Sequence, residues 1–541
     1  MTANDLVTFK VLVSDPVAED GIRALLDDPS VEVVFKSDYT PDQLIEAISG
    51  YDALIIRSQT KVTAEVLANA KRLKVIGRAG VGVDNVDVPA ATRKGVVVLN
   101  SPEGNTMAAT EHTWALLLAL ARKVCPAEAS MRLGKWDRKH FTGTELYGKT
   151  LGVIGLGKIG GAVARRGRGF EMDVIAYDPF ITQEQATRLG IRLLPLDELL
   201  RVADFVTIHV PKTKDTTNLI NSERLATMKP TARLINCARG GVVNEQDLAD
   251  AVKQGVIAGA AVDVYSSEPA TEENPLMQTA ISGCANLLLT PHLGASTEEA
   301  QIKVAVDVSE QIRDFFHGIP ARSAVNMPAL APEVLIAMRP YMRLVEQMGK
   351  FHGQMIQGAV QSVEIVYSGE VLEKDTMPLI PALLQGLLSP ILGPGIINSV
   401  NARFIAEQRG IQIKEVKSTE SSGYASLLTV TVKTEGGKHR ISGTLFGQDS
   451  CRIVRVDDYW VEVAPEGIYI VAYHIDKPGI IGSVGQMFGA YDINIASMQV
   501  GRVTPRGKAV MVLSIDEHPC DKVLEKIRAI EGIGETYIVE L

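Results

Sequence analysis

The stretch GVIGLGKIGGAVARR, residues 152–166, decides the fold of the central part of the chain. It carries the strand-like run TLGVIG into three glycines spaced G-x-G-x-x-G, Gly155, Gly157 and Gly160, and then into a helix-like run. The first glycine permits a tight turn, the second lets backbone approach a pyrophosphate, and the third lets helix and strand pack closely. The helix start also offers free N–H groups to phosphates. The stretch therefore predicts a dinucleotide site.

The next strand-like run, DVIAYD, ends in Asp178, eighteen positions beyond Gly160. An acid at about this spacing accepts hydrogen bonds from a ribose 2′-hydroxyl and repels a 2′-phosphate, so NAD is predicted rather than NADP. A glycine-rich turn followed by an exposed aspartate is the plain alternative. That alternative does not account for strand, glycines, helix, second strand and acid occurring in this order.

Short apolar runs alternate with helical patterns on both sides of residue 150. Such alternation predicts parallel strands with crossover helices, so we expect two α/β units in tandem with a ligand cleft between them. In the long helix TMAATEHTWALLLALARKV, Thr106 is expected to be the N-cap. The strand-like runs are FKVLVSD, VEVVFK, DALIIRS and LKVIGRAG in the first unit, and LGVIG, DVIAYD, DFVTIHVP, ARLINCA, IAGAAVDVY and NLLLTPH in the second.

With 541 residues the chain is too long for one hydrophobic core, and three or four domains are expected. The net charge of −9 disfavours a nucleic-acid partner. The N-terminal run lacks a basic-then-apolar signal, and the longest apolar run, WALLLALA from Trp114, is too short to span a bilayer, so no membrane partner is expected. Five scattered cysteines without a C-x-x-C pair predict a cytoplasmic protein with neither disulfides nor a metal site: Cys125, Cys237, Cys284, Cys451 and Cys520.

Hydride transfer to a nicotinamide also requires a group that moves a proton and a group that holds the substrate. His292, in LLLTPHLGAS, follows an apolar strand and has a near-neutral ordinary pKa. Glu268, the next-to-last residue of DVYSSEP, is a carboxylate able to orient an imidazole. Arg239 in INCARGG has the forked guanidinium that suits a 2-hydroxy or 2-oxo acid. A surface ion pair, a turn residue and a strand-end histidine are the respective plain alternatives.

The glycine stretch, NCARGGVVNEQDL, DVYSSEP and TPHLGAS together resemble the D-isomer-specific 2-hydroxyacid dehydrogenases. GRAGVGVDNVD, GKWDRKHFTGTEL and the long C-terminal region narrow the resemblance to the long-form phosphoglycerate dehydrogenases. The resemblance implies that Arg239 binds and polarises the substrate, Glu268 orients His292, and His292 is the acid/base. By the same resemblance, the NAD pocket contains Gly155, Gly157, Lys158, Ile159, Gly160, Asp178, Pro211, Cys237, Arg239, Asp263, His292 and Gly294.

The resemblance also implies the domain layout: two Rossmann-like doubly wound parallel-sheet domains, an α+β intervening domain and a C-terminal βαββαβ ACT domain. The substrate domain is expected to be discontinuous, because the nucleotide domain is inserted into it and the helix STEEAQIKVAVDVSEQIRDFF returns to it. The expected boundaries are 1–99 with 291–317, then 100–290, 318–462 and 467–541. Within the intervening domain, RIVRVDDYWVEV is expected to be a strand.

A phosphorylated substrate requires cations, and several polar residues follow predicted strands. Arg57, Ser58 and Arg78 are expected on the cleft side of the first unit, and Asn105 follows the next strand. Arg138 and Lys139 are expected to reach the site of another subunit, as in relatives. The alternative for the four cations is that each lies on an ordinary solvated surface: Arg57, Arg78, Arg138 and Lys139.

The C-terminal stretch from Gly467 resembles an ACT domain, which senses amino acids at a dimer interface. Asp476 in DKPGIIG is expected to pair with an α-amino group, and Asn494 to supply an amide; in long-form relatives the effector is L-serine. His474 departs from the tyrosine of some serine-regulated relatives, so a purely structural dimerisation module stays open. Arg452 and Arg455 are candidates for an anion, with an exposed basic strand edge as the alternative.

The resulting hypothesis is NAD-dependent oxidation of D-3-phosphoglycerate to 3-phosphohydroxypyruvate, the first step of L-serine biosynthesis, by a homotetramer. One alternative is a hydroxypyruvate, glyoxylate or other 2-oxo acid reductase on the same fold. Another is an NADH-sensing, corepressor-like binding protein with little turnover.

Overall fold

The computed structural model describes residues 8–327, 332–393, 395–420, 423–447 and 449–541. The first seven residues, on which the absence of a signal was partly judged, and residues 328–331 of the proline-rich segment lie outside the described residues. Four sheets organise the described part of the chain, and each belongs to a separate stretch of sequence.

The first sheet has five parallel strands in the order β2-β1-β3-β4-β5. Its central strands are buried on both faces, as expected for a parallel sheet covered by helices. The strands are β1 (Phe9–Val13), β2 (Val31–Phe35), β3 (Ala53–Ile56), β4 (Val75–Arg78) and β5 (Val97–Asn100), and the helices are α1 (Arg23–Leu26), α2 (Pro41–Ala47), α3 (Ala64–Asn69) and α4 (Val88–Lys94), with 3-10 turns at Glu19–Ile22 and Ile48–Gly50.

The second sheet has seven parallel strands in the order β12-β11-β10-β9-β6-β7-β8. The strand order reverses beside β6, which is the position at which doubly wound sheets bind ligands. Its elements are α5 (Thr106–Arg122), α6 (Val124–Arg132), β6 (Thr150–Ile154), α7 (Lys158–Gly169), β7 (Asp173–Tyr177), α8 (Gln183–Arg188), β8 (Arg192–Leu193), α9 (Leu196–Val202), β9 (Phe205–Ile208), α10 (Ser222–Thr227), β10 (Arg233–Asn236), α11 (Glu245–Lys253), β11 (Gly259–Val262), α12 (Pro275–Ile281) and β12 (Leu287–Leu289).

After β12 the chain returns to the first sheet through α13 (Glu298–Phe316). Val308 and Ile312 of this helix belong to the core of the first unit. A Cβ at Gly77 in β4 would overlap the side chains of both residues, so the glycine allows helix and strand to pack closely. The second unit is therefore inserted between β5 and α13 of the first.

The third sheet has the order β14-β13-β15-β16-β17-β18 and is antiparallel except for the pair β13 and β14. Its two long helices cover one face and supply much of the largest hydrophobic core. The elements are α14 (Pro332–Met355), β13 (Val360–Gly369), a 3-10 turn at Glu370–Glu373, α15 (Leu379–Leu392), α16 (Ala402–Gln408), β14 (Gln412–Ser418), β15 (Ser426–Thr434), β16 (Gly437–Phe446), β17 (Ser450–Val456) and β18 (Tyr459–Val463).

The C-terminal unit is a four-stranded antiparallel sheet, ordered β20-β21-β19-β22, with two helices. Side chains of this sheet, among them Val471 and Val510, join the core of the third unit, and Gln354 exchanges two hydrogen bonds with the backbone of Glu540. The two units are therefore docked on each other. The elements are β19 (Ile468–Ile475), α17 (Ile480–Ala490), β20 (Ile495–Arg502), β21 (Lys508–Ile515), α18 (Asp521–Arg528) and β22 (Ile533–Glu540).

The predicted fold class is confirmed, while two local predictions are wrong. Asn105 rather than Thr106 is the N-cap of α5, and it makes no side-chain capping bond; Thr106 is already helical. RIVRVDDYWVEV forms two strands, β17 and β18, because the chain turns at Asp457, whose φ of 50° is left-handed. The short strand β8 had no prediction. Within the described ranges, no helix has the length and apolar character needed to cross a bilayer.

Candidate active site

The three glycines after β6 have the distinct surroundings that a dinucleotide turn requires. Gly155 has φ 90°, and a Cβ there would come within 2.6 Å of the His209 carbonyl oxygen. Gly157 is the N-cap of α7 and its Cβ position faces open space. A Cβ at Gly160 would overlap the Gly155 carbonyl oxygen. Tight turn, open approach and close packing thus fall on the first, second and third glycine respectively.

The remaining predicted NAD-pocket residues lie at the carboxyl edge of the second sheet. Asp178 directly follows β7 and accepts hydrogen bonds from the backbone N–H groups of Leu156 (2.8 Å) and Phe180 (2.9 Å), so it is fixed beside the glycine turn. Lys158 forms an ion pair with Glu103. Burial raises the pKa of Cys237 to about 12, so this thiol stays protonated. Pro211 follows β9 and Ile159 packs against the core on the α5 side of the sheet.

Asp263 is the fully buried centre of a hydrogen-bond network just beyond β11. Its carboxylate accepts from the backbone N–H groups of Leu293 (2.8 Å) and Gly294 (2.9 Å) and from the Thr290 hydroxyl (2.6 Å). His112 Nε2 lies 3.1 Å from the same carboxylate. Burial opposes ionisation, but these donors keep the pKa of Asp263 below its ordinary value. The network fixes the loop that carries His292.

His292 and Glu268 form a direct pair. His292 Nδ1 lies 2.7 Å from Glu268 Oε2, and the Tyr265 N–H donates to Oε1 of the same carboxylate (3.0 Å). The hydrogen bond to Glu268 raises the pKa of His292. Because a carboxylate only accepts, Nδ1 carries the proton, which leaves Nε2 free for proton exchange. His292 has φ 55°, a left-handed backbone uncommon for a non-glycine residue.

Arg239, three residues beyond β10, connects the two N-terminal units. Its Nε lies 3.3 Å from Asp84 Oδ2 of the first unit, and its Nη1 donates to the Ala238 carbonyl (2.7 Å). A Cβ at Gly82 would overlap the guanidinium, so the glycine makes room for it. The guanidinium thus bridges the two units, and the exposed Asp84 is its one acidic partner among the described residues.

The His292–Glu268 pair and the two predicted cations Arg57 and Arg78 line one cavity of about 870 Å³ between the two N-terminal units. Arg57, Ser58 and Arg78 line one wall, while Glu268 and His292 line the other. Burial lowers the pKa of Arg78 to about 10, with the positive charges of Arg239 and Arg57 adding to the effect. Its buried Nε has no hydrogen-bond partner among the described residues. Such a group is costly until an anion accepts from it.

Four residues predicted to bind the substrate do not line this cavity: Arg239, described above, and Asn105, Arg138 and Lys139. Asn105 Oδ1 is buried and lacks a hydrogen-bond partner within the described ranges. Arg138 lines a separate pocket formed by the 122–145 region, and Lys139 follows it there. Neither cation lines the cleft of its own chain, so a role for either in catalysis requires a second chain and stays a prediction.

The structure adds residues that the sequence did not single out. Lys61 and Gln301 line the cleft, the first just beyond Arg57 and the second on α13. Lys61 had a detectable signal, because it lies in the same strand-end loop as Arg57. His112 and Asp84 had none, since the partner of each is more than 150 residues away in sequence.

In the C-terminal unit, the two predicted effector residues are each bound to other side chains. Asp476 accepts from Arg502 Nη1 at 2.6 Å and from the Arg506 N–H at 3.2 Å. Asn494 Nδ2 donates to Asp516 at 2.6 Å. These contacts do not bring Asp476 and Asn494 together within one chain. Arg452 and Arg455 also have acidic partners: Arg452 lies 4.0 Å from Glu462, and Arg455 lies 3.6 Å from Asp458.

Three family models match consecutive parts of the chain. Residues 114–294 match the NAD binding domain of D-isomer specific 2-hydroxyacid dehydrogenases, residues 337–457 match the D-3-phosphoglycerate dehydrogenase intervening domain, and residues 468–532 match the ACT domain. A D-3-phosphoglycerate dehydrogenase of Synechocystis is 47% identical over 533 residues, covering 98% of this chain and 95% of that protein. The chain belongs to the D-3-phosphoglycerate dehydrogenases.

Further relatives agree with this assignment. A D-3-phosphoglycerate dehydrogenase of Archaeoglobus fulgidus is 45% identical, covering 98% of this chain and all of the relative. Among solved structures, a Thermus thermophilus protein superposes with TM-score 0.54 at 34% identity, over 59% of this chain and all of that chain. D-lactate dehydrogenase of Aquifex aeolicus, solved with NAD and lactic acid, gives TM-score 0.52 at 28% identity over 59% of this chain and 99% of that one.

The residues at the second sheet fit NAD. The space at Gly157 admits a pyrophosphate to the start of α7, and the fixed Asp178 carboxylate stands where a ribose 2′-hydroxyl is bound in this fold. The chain is therefore an NAD-dependent oxidoreductase with a Rossmann domain and an ACT domain. The exact domain boundaries stay a prediction, although the intervening and ACT matches fall within the expected ranges.

Proposed function

We propose that the chain oxidises D-3-phosphoglycerate to 3-phosphohydroxypyruvate in the cleft between its two N-terminal units, the first step of L-serine biosynthesis. The observation that carries the proposal is one cavity holding an imidazole–carboxylate pair on one wall and two arginines with no acid within ion-pair distance, among the described residues, on the other. An acid/base pair suits the alcohol and ketone chemistry, and the cations suit a substrate with both carboxylate and phosphate.

Each residue has a defined part in this proposal. Arg239 holds the substrate carboxylate and polarises the oxygen on C2, and Arg57 and Arg78 hold the phosphate, with Ser58 beside them. His292 Nε2 takes the proton of the C2 hydroxyl as the C2–H bond breaks, and Glu268 stabilises the resulting imidazolium. When bound, NAD supplies the hydride acceptor. In the reverse direction His292 returns the proton to the ketone oxygen.

The pKa of His292 sets the pH dependence of this step. Its hydrogen bond to Glu268 raises the pKa, so the imidazolium persists to higher pH than in an isolated histidine. Reduction needs the imidazolium and is expected to decline as pH rises through this pKa. Oxidation needs the neutral imidazole and is expected to decline as pH falls through it.

We infer a homotetramer built from two kinds of contact. Helix α6 buries none of its residues in the single chain, and the segment around it exposes Met131 (52%), Leu133 (73%) and Trp136 (78%). An apolar surface of this kind marks a contact with another protein chain. Pairing here places Arg138 and Lys139 of one chain near the other, and pairing of ACT domains supplies the second contact. Mass photometry at nanomolar concentration distinguishes monomer, dimer and tetramer.

We infer that L-serine is the effector at the ACT domain, with Asp476 and Asn494 as its contacts. Within one chain both effector candidates already have partners, so the ligand site requires an exchange of contacts or a second chain.

We also infer that the protein is cytoplasmic. All five cysteines are free, as in proteins of a reducing compartment.

The deciding experiment follows NADH oxidation with 3-phosphohydroxypyruvate, hydroxypyruvate and glyoxylate, each with and without millimolar L-serine. Preference for the phosphorylated acid is the expected result. Preference for unphosphorylated acids would contradict the roles of Arg57 and Arg78 and favour the 2-oxo acid reductase, and absent turnover would favour the binding protein. Inhibition by L-serine supports the effector assignment independently of the substrate preference.

A further inference from the structure

The imidazole of His112, on α5, contacts two residues next to the catalytic histidine without reaching the cleft. Its side chain is 17% exposed, and its Nε2 lies 3.1 Å from Asp263 Oδ1 and 3.3 Å from Thr290 Oγ1. Among the described residues, those that line the cleft do not include His112. Any effect of this histidine on catalysis is therefore carried by the groups that it touches.

The two contacts of His112 Nε2 establish which atom donates. Asp263 Oδ1 is a carboxylate oxygen, which accepts hydrogen bonds only. The Thr290 hydroxyl directs its own proton to the same Oδ1, at 2.6 Å, so towards His112 it too is an acceptor. Nε2 of His112 therefore carries a proton and donates to the carboxylate.

Asp263, in turn, holds the backbone and side chains on both sides of His292. The Thr290 hydroxyl, two residues before the histidine, and the N–H groups of Leu293 and Gly294, directly after it, all donate to this fully buried carboxylate. His292 has φ 55°, and a backbone of this kind persists only where its surroundings over-determine it. The carboxylate of Asp263 provides those surroundings.

His112 differs from the other donors to Asp263 in where it comes from. Of the four described donors, three belong to the loop that the carboxylate holds, residues 290–294. His112 belongs to α5, which is fixed on the second sheet because its Trp114 and Leu117 lie in the hydrophobic core there. The contact with His112 therefore sets where the carboxylate, and with it the loop, stands relative to the second sheet.

We propose that His112 is a positioning residue for the hydride-transfer step: through Asp263 it holds the His292 imidazole in place relative to the substrate oxygen. The proposal rests on the acid/base role proposed for His292, and His112 itself exchanges no proton with the substrate. A misplacement of a reacting group by about 1 Å lowers a rate by about 100-fold, so a small shift of this loop is enough to slow the chemistry.

The test compares His112→Leu with His112→Gln in the full-length protein. Leucine removes the donor, whereas the glutamine Nε2 stands the same number of bonds from Cα as the histidine Nε2 and keeps an N–H. The measurement is the single-turnover rate of NADH oxidation with 3-phosphohydroxypyruvate, which separates chemistry from product release.

His112→Leu is expected to lower the single-turnover rate about 10- to 100-fold, because the loop loses its contact with α5. His112→Gln is expected to restore the rate to within about threefold of the unchanged protein. The KM for NADH is expected to change less than about threefold in both variants, since the lost interaction acts on the chemical step rather than on cofactor binding.

The same substitution made in the His292→Ala variant shows whether His112 acts through His292. His292→Ala alone is expected to lose most of the rate. Adding His112→Leu is expected to lower the residual rate less than about twofold, because residues that act as a unit have strongly non-additive effects.

The matched control is His317→Leu, which also removes an imidazole next to a carboxylate. His317 Nε2 lies 2.7 Å from Asp28, and Asp28 precedes β2, so the pair lies at the amino edge of the first sheet, opposite to the cleft. This variant is expected to keep the rate of the unchanged protein.

Four results would overturn the proposal. They are a rate in His112→Leu equal to that of the control, a rate in His112→Gln as low as in His112→Leu, an equal loss from His112→Leu with and without His292, and a raised KM for NADH as the main effect. Near-normal turnover in His292→Ala would instead contradict the proposed function, and this inference with it.

Discussion

The catalytic cleft and the effector region of the ACT domain differ in whether their candidate ligand-binding side chains already have hydrogen-bond partners. In the cleft, Arg78 is largely buried with a free Nε, and its pKa is depressed by burial and by neighbouring cations. In the ACT domain, Asp476 and Asn494 are both satisfied by contacts within their own chain. Buried polar groups without partners destabilise a fold, whereas satisfied exposed ones contribute little. Arg78 in the cleft therefore has unmet hydrogen-bonding capacity, whereas Asp476 and Asn494 already have partners.

This difference indicates where ligand binding needs rearrangement. One chain already supplies Arg57, Arg78, Glu268 and His292 to one cavity. An amino acid bound by the contacts proposed above would compete with Arg502 for Asp476 and with Asp516 for Asn494. We therefore expect catalysis to tolerate changes in the ACT domain, and regulation to depend on contacts that one chain does not complete.

The largest expected effect comes from His292→Ala, which tests whether the cleft supplies the proton acceptor. Turnover is expected to fall about 1,000-fold, because positioned general acid–base catalysis contributes about 10²–10⁴-fold. NADH binding, followed by fluorescence, is expected to stay close to normal. A variant with near-normal turnover would remove His292 from the mechanism.

Glu268→Gln tests whether the pair, rather than the histidine alone, is needed. The amide can no longer stabilise the imidazolium, and turnover is expected to fall about 100-fold. Because the hydrogen bond to Glu268 raises the pKa of His292, its loss moves that pKa back towards the ordinary value. The alkaline limb of the pH profile for ketone reduction should therefore move to lower pH. Glu273→Gln, at an exposed position nearby, is the control, and an identical pH profile in both variants would contradict the pairing.

Arg78→Ala tests the unmet capacity of the cleft directly. For 3-phosphohydroxypyruvate, kcat/KM is expected to fall about 30-fold, since a hydrogen bond to a charged group contributes about 1.5–3 kcal/mol. For hydroxypyruvate the loss should be much smaller, because that substrate lacks the phosphate. Lys36→Ala, an exposed lysine of the same unit, controls for net charge. Equal losses on both substrates would show that Arg78 supports the structure of the cleft rather than phosphate binding.

Several of the predicted site residues share one cavity because each of them ends or follows a strand. Arg57 comes directly after β3, Arg78 ends β4 and His292 lies three residues beyond β12. Parallel strands bring their carboxyl ends to one edge, so position in the chain predicts position in the site. The three glycines were equally predictable, since steric limits dictate their spacing. The resemblance to a family supplied the roles, which strand order alone does not provide.

Other features depend on tertiary contacts that no local pattern records. His112 lies in the middle of α5, where a polar residue has no periodic signature, and its contact with Asp263 appears only when α5 packs on the second sheet. The N-cap of α5 is Asn105 because the helix already begins at Thr106. A one-residue difference of this kind at a helix end is not fixed by the local sequence.

The smallest expected effect, and the sharpest test of the comparison, is Asp476→Asn in the ACT domain. The carboxylate is already bound by Arg502, so its loss changes a contact that exists without ligand as well as the proposed contact with an α-amino group. We expect the L-serine concentration for half-maximal inhibition to rise about threefold to tenfold, since one exposed charged contact is worth about 1 kcal/mol or slightly more. Glu525→Gln on α18 is the matched control. If Asp476→Asn instead lowers that concentration, Arg502 restrains the effector site in the absence of ligand, and competition within one chain is the regulating contact.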